Sequence, residues 1–310
     1  MPHLLTGPVR VRGAEVGDVL AVEILASEPW VPWGWNALRA GKGALAALDD
    51  DDDDDDAFAF LRDGVDETIV IPIDLDARVA TPPRNVDRRT RWREPFFGQL
   101  GVAPRPDRGV VSRRPGAHGG NLDNRLLTPG STAYFRVNVP GAMFSAGDGH
   151  AMQGDGEFSV TALETSLRGT FRLSVIKNNS GDADAPRAMT RSHYLTMSFH
   201  ESLDVAQNLA LRDMLRWMRR VTGLRVVDLY RMSSLVGDMS VTQVVNGKKG
   251  VHLAFPRRCV FFSFFLSLRP RVPFDVVRPA RDVQLTDRRT SMDPTSFQDD
   301  GRDRARGGDG

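Results

Sequence analysis

The chain has 310 residues, with 41 basic against 40 acidic side chains, a net charge of +1, and 41% hydrophobic composition. That near balance excludes a generally basic nucleic-acid coat and a polyanionic scaffold, and the length suits two average domains or one large β-rich domain. A single cysteine, Cys259, excludes an internal disulfide and a cysteine-built zinc site; a reducing compartment follows as the expectation.

The start, Met1-Pro2-His3-Leu4-Leu5, has neither the basic opening nor the apolar run of a signal peptide. The longest apolar run, 260–268, falls far short of the ~20 residues that a spanning helix needs. The expected protein is soluble and cytoplasmic, with no membrane or nucleic-acid partner.

Strand-like stretches outnumber helical ones. Residues 9–12 and 18–25 read as strands around a Gly13–Gly17 turn signal, and 67–75 is rich in β-branched residues. Residues 131–139 alternate, with Tyr134, Arg136 and Asn138 on one face and Phe135, Val137 and Val139 on the other. Further strands are expected at 157–164, 169–176 and 194–199. Two adjacent helices follow. The first opens at Ser202, carries Leu203, Ala206, Leu209, Ala210, Met214, Trp217 and Met218 at helical spacing, and ends at Gly223; the second covers about 225–236. Residues 239–245 and 251–255 flank Asn246-Gly247, a hairpin signal. The fold class is mainly β, a sandwich or barrel-like α+β architecture.

Three stretches do not read as core. Eight consecutive aspartates at 49–56 repel one another and suit a solvated loop. The arginine-rich segment 84–93 lacks aromatic interleaving and reads the same way. Beyond Pro256, phenylalanine-rich and then Arg/Asp/Gly-rich sequence reads as a divergent, disordered tail over 257–310, leaving one domain over 1–256.

The chemistry concentrates between 118 and 157. His118-Gly119-Gly120-Asn121-Leu122-Asp123 is followed after one strand by Phe144-Ser145-Ala146-Gly147-Asp148-Gly149-His150, then by Gly154-Asp155-Gly156-Glu157. Asn121/Asp123, Asp148/His150 and Asp155/Glu157 are i, i+2 pairs, which project from one face of an extended backbone. Histidine with carboxylates is a zinc ligand set, and a three-ligand site leaves a position for water. The Asp-Gly steps equally suit hairpin turns, and the spacing fits no named metal motif; spacing alone leaves both readings open. Ser145 near His150 lacks a nucleophile-elbow context.

At these residues the sequence resembles the acetamidase/formamidase family. The resemblance runs in order from Leu5-Thr6-Gly7-Pro8-Val9 and Gly13-Ala14-Glu15-Val16-Gly17-Asp18, through His118–Asp123 and Phe144–Glu157, to Thr242-Gln243-Val244-Val245-Asn246-Gly247-Lys248-Lys249-Gly250-Val251-His252. It covers roughly 5–256, with a poor fit over 37–99. It implies hydrolysis of short linear amides, formamide or acetamide, to ammonia and the acid. It also implies a homodimer or higher homo-oligomer and a divalent metal, zinc foremost. Within that frame the expected metal ligands are Asp123 and His150, then His118 and Asp148. Glu157, with Asp155 beside it, is the expected acid/base, and Asn121 and Gln153 are expected to orient the amide. Family members carry a segment ahead of the Leu5–Val9 opening, so part of the pocket wall is expected to be missing. Two rivals to a metal-dependent amidase are a non-catalytic binding or oligomerisation protein on the same fold and a metal-independent amidase using Ser145.

Overall fold

A computed structural model describes residues 3–45, 64–81, 90–91, 94–106, 109–177, 185–264 and 282–286. The aspartate run at 49–56, most of 84–93 and most of the tail lie outside the described residues.

Among the described residues seventeen strands occur in chain order: β1 (Leu5–Val9), β2 (Val19–Pro29), β3 (Trp33–Leu38), β4 (Glu67–Asp74), β5 (Val79–Ala80), β6 (Thr90–Arg91), β7 (Phe96–Gly101), β8 (Gly119–Asn121), β9 (Thr132–Arg136), β10 (Phe144–Met152), β11 (Leu163–Glu164), β12 (Leu167–Ile176), β13 (Arg187–Met189), β14 (His193–His200), β15 (Asp238–Gln243), β16 (Lys249–Pro256) and β17 (Asp282–Thr286). The helices among the described residues are α1 (Leu203–Thr222), α2 (Val226–Val236) and α3 (Arg257–Phe264). One sheet runs β6-β5-β4-β3-β11-β10-β7-β8, with β1 also paired to β10; the other runs β15-β16-β14-β13-β9-β2-β12-β17. Every strand pairing is antiparallel.

Alternation builds the core. On β9, Ala133 and Phe135 turn inward while Thr132, Tyr134 and Arg136 are only partly buried. Leu20, Val22 and Ile24 of β2 join Phe171 and Leu173 of β12 on one side. Phe97 and Leu100 of β7 and Phe144 of β10 meet them from the other sheet. Phe171 is fully buried and stacks against Phe97 and Phe144, each at a centroid distance of 5.4 Å. Phe171→Ala should therefore lower the unfolding free energy by about 3–5 kcal/mol, the usual cost of deleting a buried ring. Chemical denaturation checks this, and a loss below about 1 kcal/mol would contradict the packing.

The helices form a third layer on the outer face of the second sheet, where Ala206, Ala210, Met214 and Trp217 cover Tyr194, Val251, Leu253 and Phe255. The boundaries of α1 follow its sequence signals. The Ser202 hydroxyl accepts from Val205 N–H, and Gly223 closes the helix in the left-handed conformation (φ 72°). One expectation for its face changes, since Leu209 is 41% exposed; Asp213 of the same helix is buried in a bidentate pair with Arg187.

Three other expectations are corrected. The first strand is Leu5–Val9, and a turn follows where 9–12 was expected to be extended. The strand expected over 157–164 shrinks to Leu163–Glu164, because Glu157 (φ 44°) and Val160 (φ 84°) take left-handed conformations that end an extended run. Past Pro256 the described residues are ordered: α3 continues the chain with Val260 buried under the helical layer, and β17 pairs with β12. Among the described residues no helix is long and apolar enough to cross a membrane.

Candidate metal centre

The strand pair β10–β7 forms the floor of the site. Gly147-Asp148-Gly149 does not turn: it lies within β10, whose ladder matches Gly147 to Gln99 and Gly149 to Phe97. Asp148 therefore faces Gly98 across the ladder. An added Cβ at Gly98 would lie 2.5 Å from Asp123 Oδ1, 2.8 Å from Asp148 Oδ2 and 2.8 Å from His150 Cε1. The absent side chain is what leaves room for these groups to converge.

Asp123, Asp148, His150, Glu157 and Glu164 gather there, all buried, His150 completely. They form two triads that share His150, Asp123–Asp148–His150 and His150–Glu157–Glu164, each with ligand atoms within 4.8 Å of one another. His150 Nε2 lies 3.2 Å from Glu164 Oε1 and 3.5 Å from Asp148 Oδ2, out of line for a hydrogen bond to either.

Gln153 fixes the ring. Its Nε2 donates to the Asp123 carbonyl (2.7 Å), so its Oε1 faces His150 Nδ1 (2.9 Å) and accepts from it. That arrangement holds a proton on Nδ1 and leaves Nε2 as the ligating atom. Asn246 Nδ2 donates to Asp123 Oδ2 from the β15–β16 hairpin, so the second sheet contributes to a site built on the first.

The electrostatics are those of crowded buried acids. Burial, then the Asp123 charge, pushes Glu157 well above the usual carboxylate range. Burial also raises Asp123 to about 7, against the pull of His150. Burial opposes charge on His150, yet the carboxylates of Glu164 and Asp148 together hold it well above the ordinary imidazole range. The cluster thus calls for positive charge at its centre.

A divalent cation fits. Asp123 Oδ1, Glu157 Oε2 and His150 Nε2 are buried without hydrogen-bond partners, and orphaned buried acceptors are costly unless something compensates them. Hard oxygens with one imidazole suit zinc and, equally by donor type, manganese or iron.

The predicted residues divide. Asp123, Asp148, His150 and Glu157 come together, and Gln153 braces them. Asn121 stands one layer back, accepting from Gln99 Nε2 (2.9 Å), which also approaches His3 Nδ1 (3.1 Å). Asp155 does not join: its carboxylate makes two bonds to Arg125 (2.8 and 2.9 Å) near the surface, because the turn at 154–156 sends it away from Glu157. His118 also stays outside both triads, where burial and then Lys248 lower its pKa. Ser145 sits opposite Gly101, roughly 16 Å along the strand from His150 at ~3.3 Å per residue.

Sequence reasoning missed Glu164, Asn246, Gly98 and His3, whose Nε2 is 3.7 Å from Asp148 Oδ2. Glu164 reaches the cluster through the β10–β11 ladder, opposite His150. For Asn246 the available signal, an Asn-Gly step, spoke only of a turn.

His252 is buried with Thr242 Oγ1 at 2.8 Å, and burial pushes it down to about 4. The unfolded chain therefore takes up this proton first on acidification. The stabilisation is complete above about pH 6.5 and is lost as pH falls toward 4, by a few kcal/mol at one to two pH units past the midpoint. Replacing it, as in His252→Gln, should flatten the pH dependence of unfolding in that window by about one proton. An unchanged slope would show that another group sets it.

The comparisons agree with this architecture. A family model described as the Acetamidase/Formamidase family matches residues 1–107 and 102–207. The chain belongs to that family. It is 29% identical over 208 residues to an acetamidase of Mycolicibacterium smegmatis (51% of this chain, 49% of that protein). It is 29% identical over 214 residues to a formamidase of Methylophilus methylotrophus (57% and 52%). The crystal structure of an acetamidase from Bacillus halodurans superposes with a TM-score of 0.73 at 29% identity, covering 84% of this chain and 80% of that one. The chain spans about half the length of the curated relatives it matches.

Proposed function

We propose that the protein hydrolyses linear carboxamides to ammonia and a carboxylic acid at the Asp123–Asp148–His150–Glu157 cluster. The observation that carries this reading is the convergence of Asp123, Asp148 and His150 over Gly98, beside the buried Asp123 Oδ1 and Glu157 Oε2 that no hydrogen bond satisfies. The names of the relatives, acetamidase and formamidase, support the reaction class and a short acyl group among the substrates.

Asp123, Asp148 and His150 would hold the metal. A divalent ion held there would supply Lewis acidity and lower the pKa of water toward neutrality. Glu157 carries the proton. Its carboxylate borders both the cluster and the neighbouring cavity, so it can take a proton from the attacking water and deliver it to the departing nitrogen, which leaves as ammonia. Gln153 keeps His150 Nε2 aimed inward, and Asn246 keeps Asp123 in place.

The test is ammonia release from formamide, acetamide and propionamide before and after chelation, with zinc add-back. Chelation should reduce release at least tenfold, and zinc should restore it. A folded, zinc-replete sample that releases no ammonia from any of the three would overturn the proposal. Release indifferent to chelation would remove the metal from it.

A further inference from the structure

We infer that the site is built for primary amides with an extended apolar acyl group, which it processes better than formamide or acetamide. The inference rests on the amidase reading above. In that reading ammonia is the leaving group, so any bulk the site accommodates belongs to the acyl side.

A cavity of about 500 Å³ adjoins the cluster. Glu157 and Gln153 stand in its wall, and the same two residues carry and brace the cluster. The remainder is mostly apolar: Ile71, Ala80, Met152, Ala162 and Leu163 line it, with the Phe158 ring toward its rim, 66% exposed. Cavities of this size hold drug-sized ligands, with apolar walls and a few polar groups that set orientation. Acetamide would touch only a corner of it, and its single methyl group would leave the apolar wall in contact with water.

The wall is also preformed. Ile71, Ala80 and Leu163 belong to a small apolar cluster of their own beside the cavity. Asn36 Nδ2 donates to the Thr161 and Ala162 carbonyls, each at 3.0 Å, which pins the loop leading out of the site. Ala44 N–H donates to the Phe158 carbonyl (2.8 Å), and a Cβ at Gly156 would strike the Phe158 ring at 2.5 Å, so one edge of the ring lies against that glycine. A wall held this way loses little freedom when an acyl chain packs on it, and the burial of each methylene is then expressed in binding and rate.

The experiment is a chain-length series on metal-replete protein: formamide, acetamide, butyramide, hexanamide and phenylacetamide, read as ammonia released. kcat/KM should rise roughly three- to fourfold per methylene, reaching on the order of 100-fold from acetamide to hexanamide. Met152→Trp, which fills the cavity, should lower the ratio of hexanamide to acetamide kcat/KM at least tenfold. Met152→Ala should favour the longer chains if the tryptophan variant fails to fold. A profile that peaks at formamide or acetamide, or stays flat, overturns the inference and leaves the amidase reading standing. No ammonia from any amide overturns both.

Discussion

Gly98→Ala should abolish metal binding and amide hydrolysis while the sandwich stays folded. The reason is local. Gly98 lies in the middle of β7 and is not among the residues with positive φ, so its backbone tolerates alanine. What the new methyl group meets is Asp123 Oδ1, Asp148 Oδ2 and the edge of His150, all closer than 3 Å. The Gly98 carbonyl also receives the Leu122 and Asp123 N–H groups (2.9 and 3.2 Å), so any recoil of β7 drags Asp123 with it. Disturbing groups that merely orient ligands costs 10–100-fold in affinity or activity; displacing two ligands directly should cost at least about 100-fold. Zinc titration calorimetry alongside a thermal melt separates the effects. Zinc affinity equal to wild type would refute the placement of the metal.

Glu157→Gln should give the complementary result, with metal retained and turnover lost. Glutamine matches glutamate in shape and removes a charge whose burial is costly here, so folding should be unaffected. Asp123, Asp148 and His150 remain to hold the ion. What disappears is the ability to accept and return a proton, worth about 10²–10⁴ in rate for a positioned general acid/base. The loss should fall on kcat with little change in KM, because the step affected follows binding. Full metal occupancy with a kcat within twofold of wild type would show that another group moves the proton. The adjacent control, Asp155→Asn, should lower kcat by less than about threefold, since Asp155 serves Arg125 instead.

The two halves of the site differ in how readable they were. Alternation on β9, the caps of α1 and the two-residue spacing of Asp148 and His150 are local properties, and local physics settles them. The Gly147-Asp148-Gly149 run misleads because glycine serves turns and close strand approach alike. Here Gly149 lies so close to the next segment that a Cβ would fall 2.5 Å from the Thr165 carbonyl. Asp155 and Glu157 share the spacing of Asp148 and His150, but they leave a turn rather than a strand, so their side chains part. Glu164 depends on ladder register, Gly98 on what lies across from Asp148, and Asn246 on a hairpin in the other sheet. Each is a relation between distant segments, and a composition or spacing argument contains no term for it.

Asp123, Asp148 and Glu157 carry φ values of 47°, 60° and 44°, backbone conformations that cost an ordinary residue of order 1–3 kcal/mol. Three of the five cluster residues are thus held where glycine would rest more easily. Selection for durability and selection for chemistry therefore pull these codons in opposite directions. In a lineage released from the reaction, aspartate-to-glycine drift at 123 and 148 would firm the fold while erasing the site.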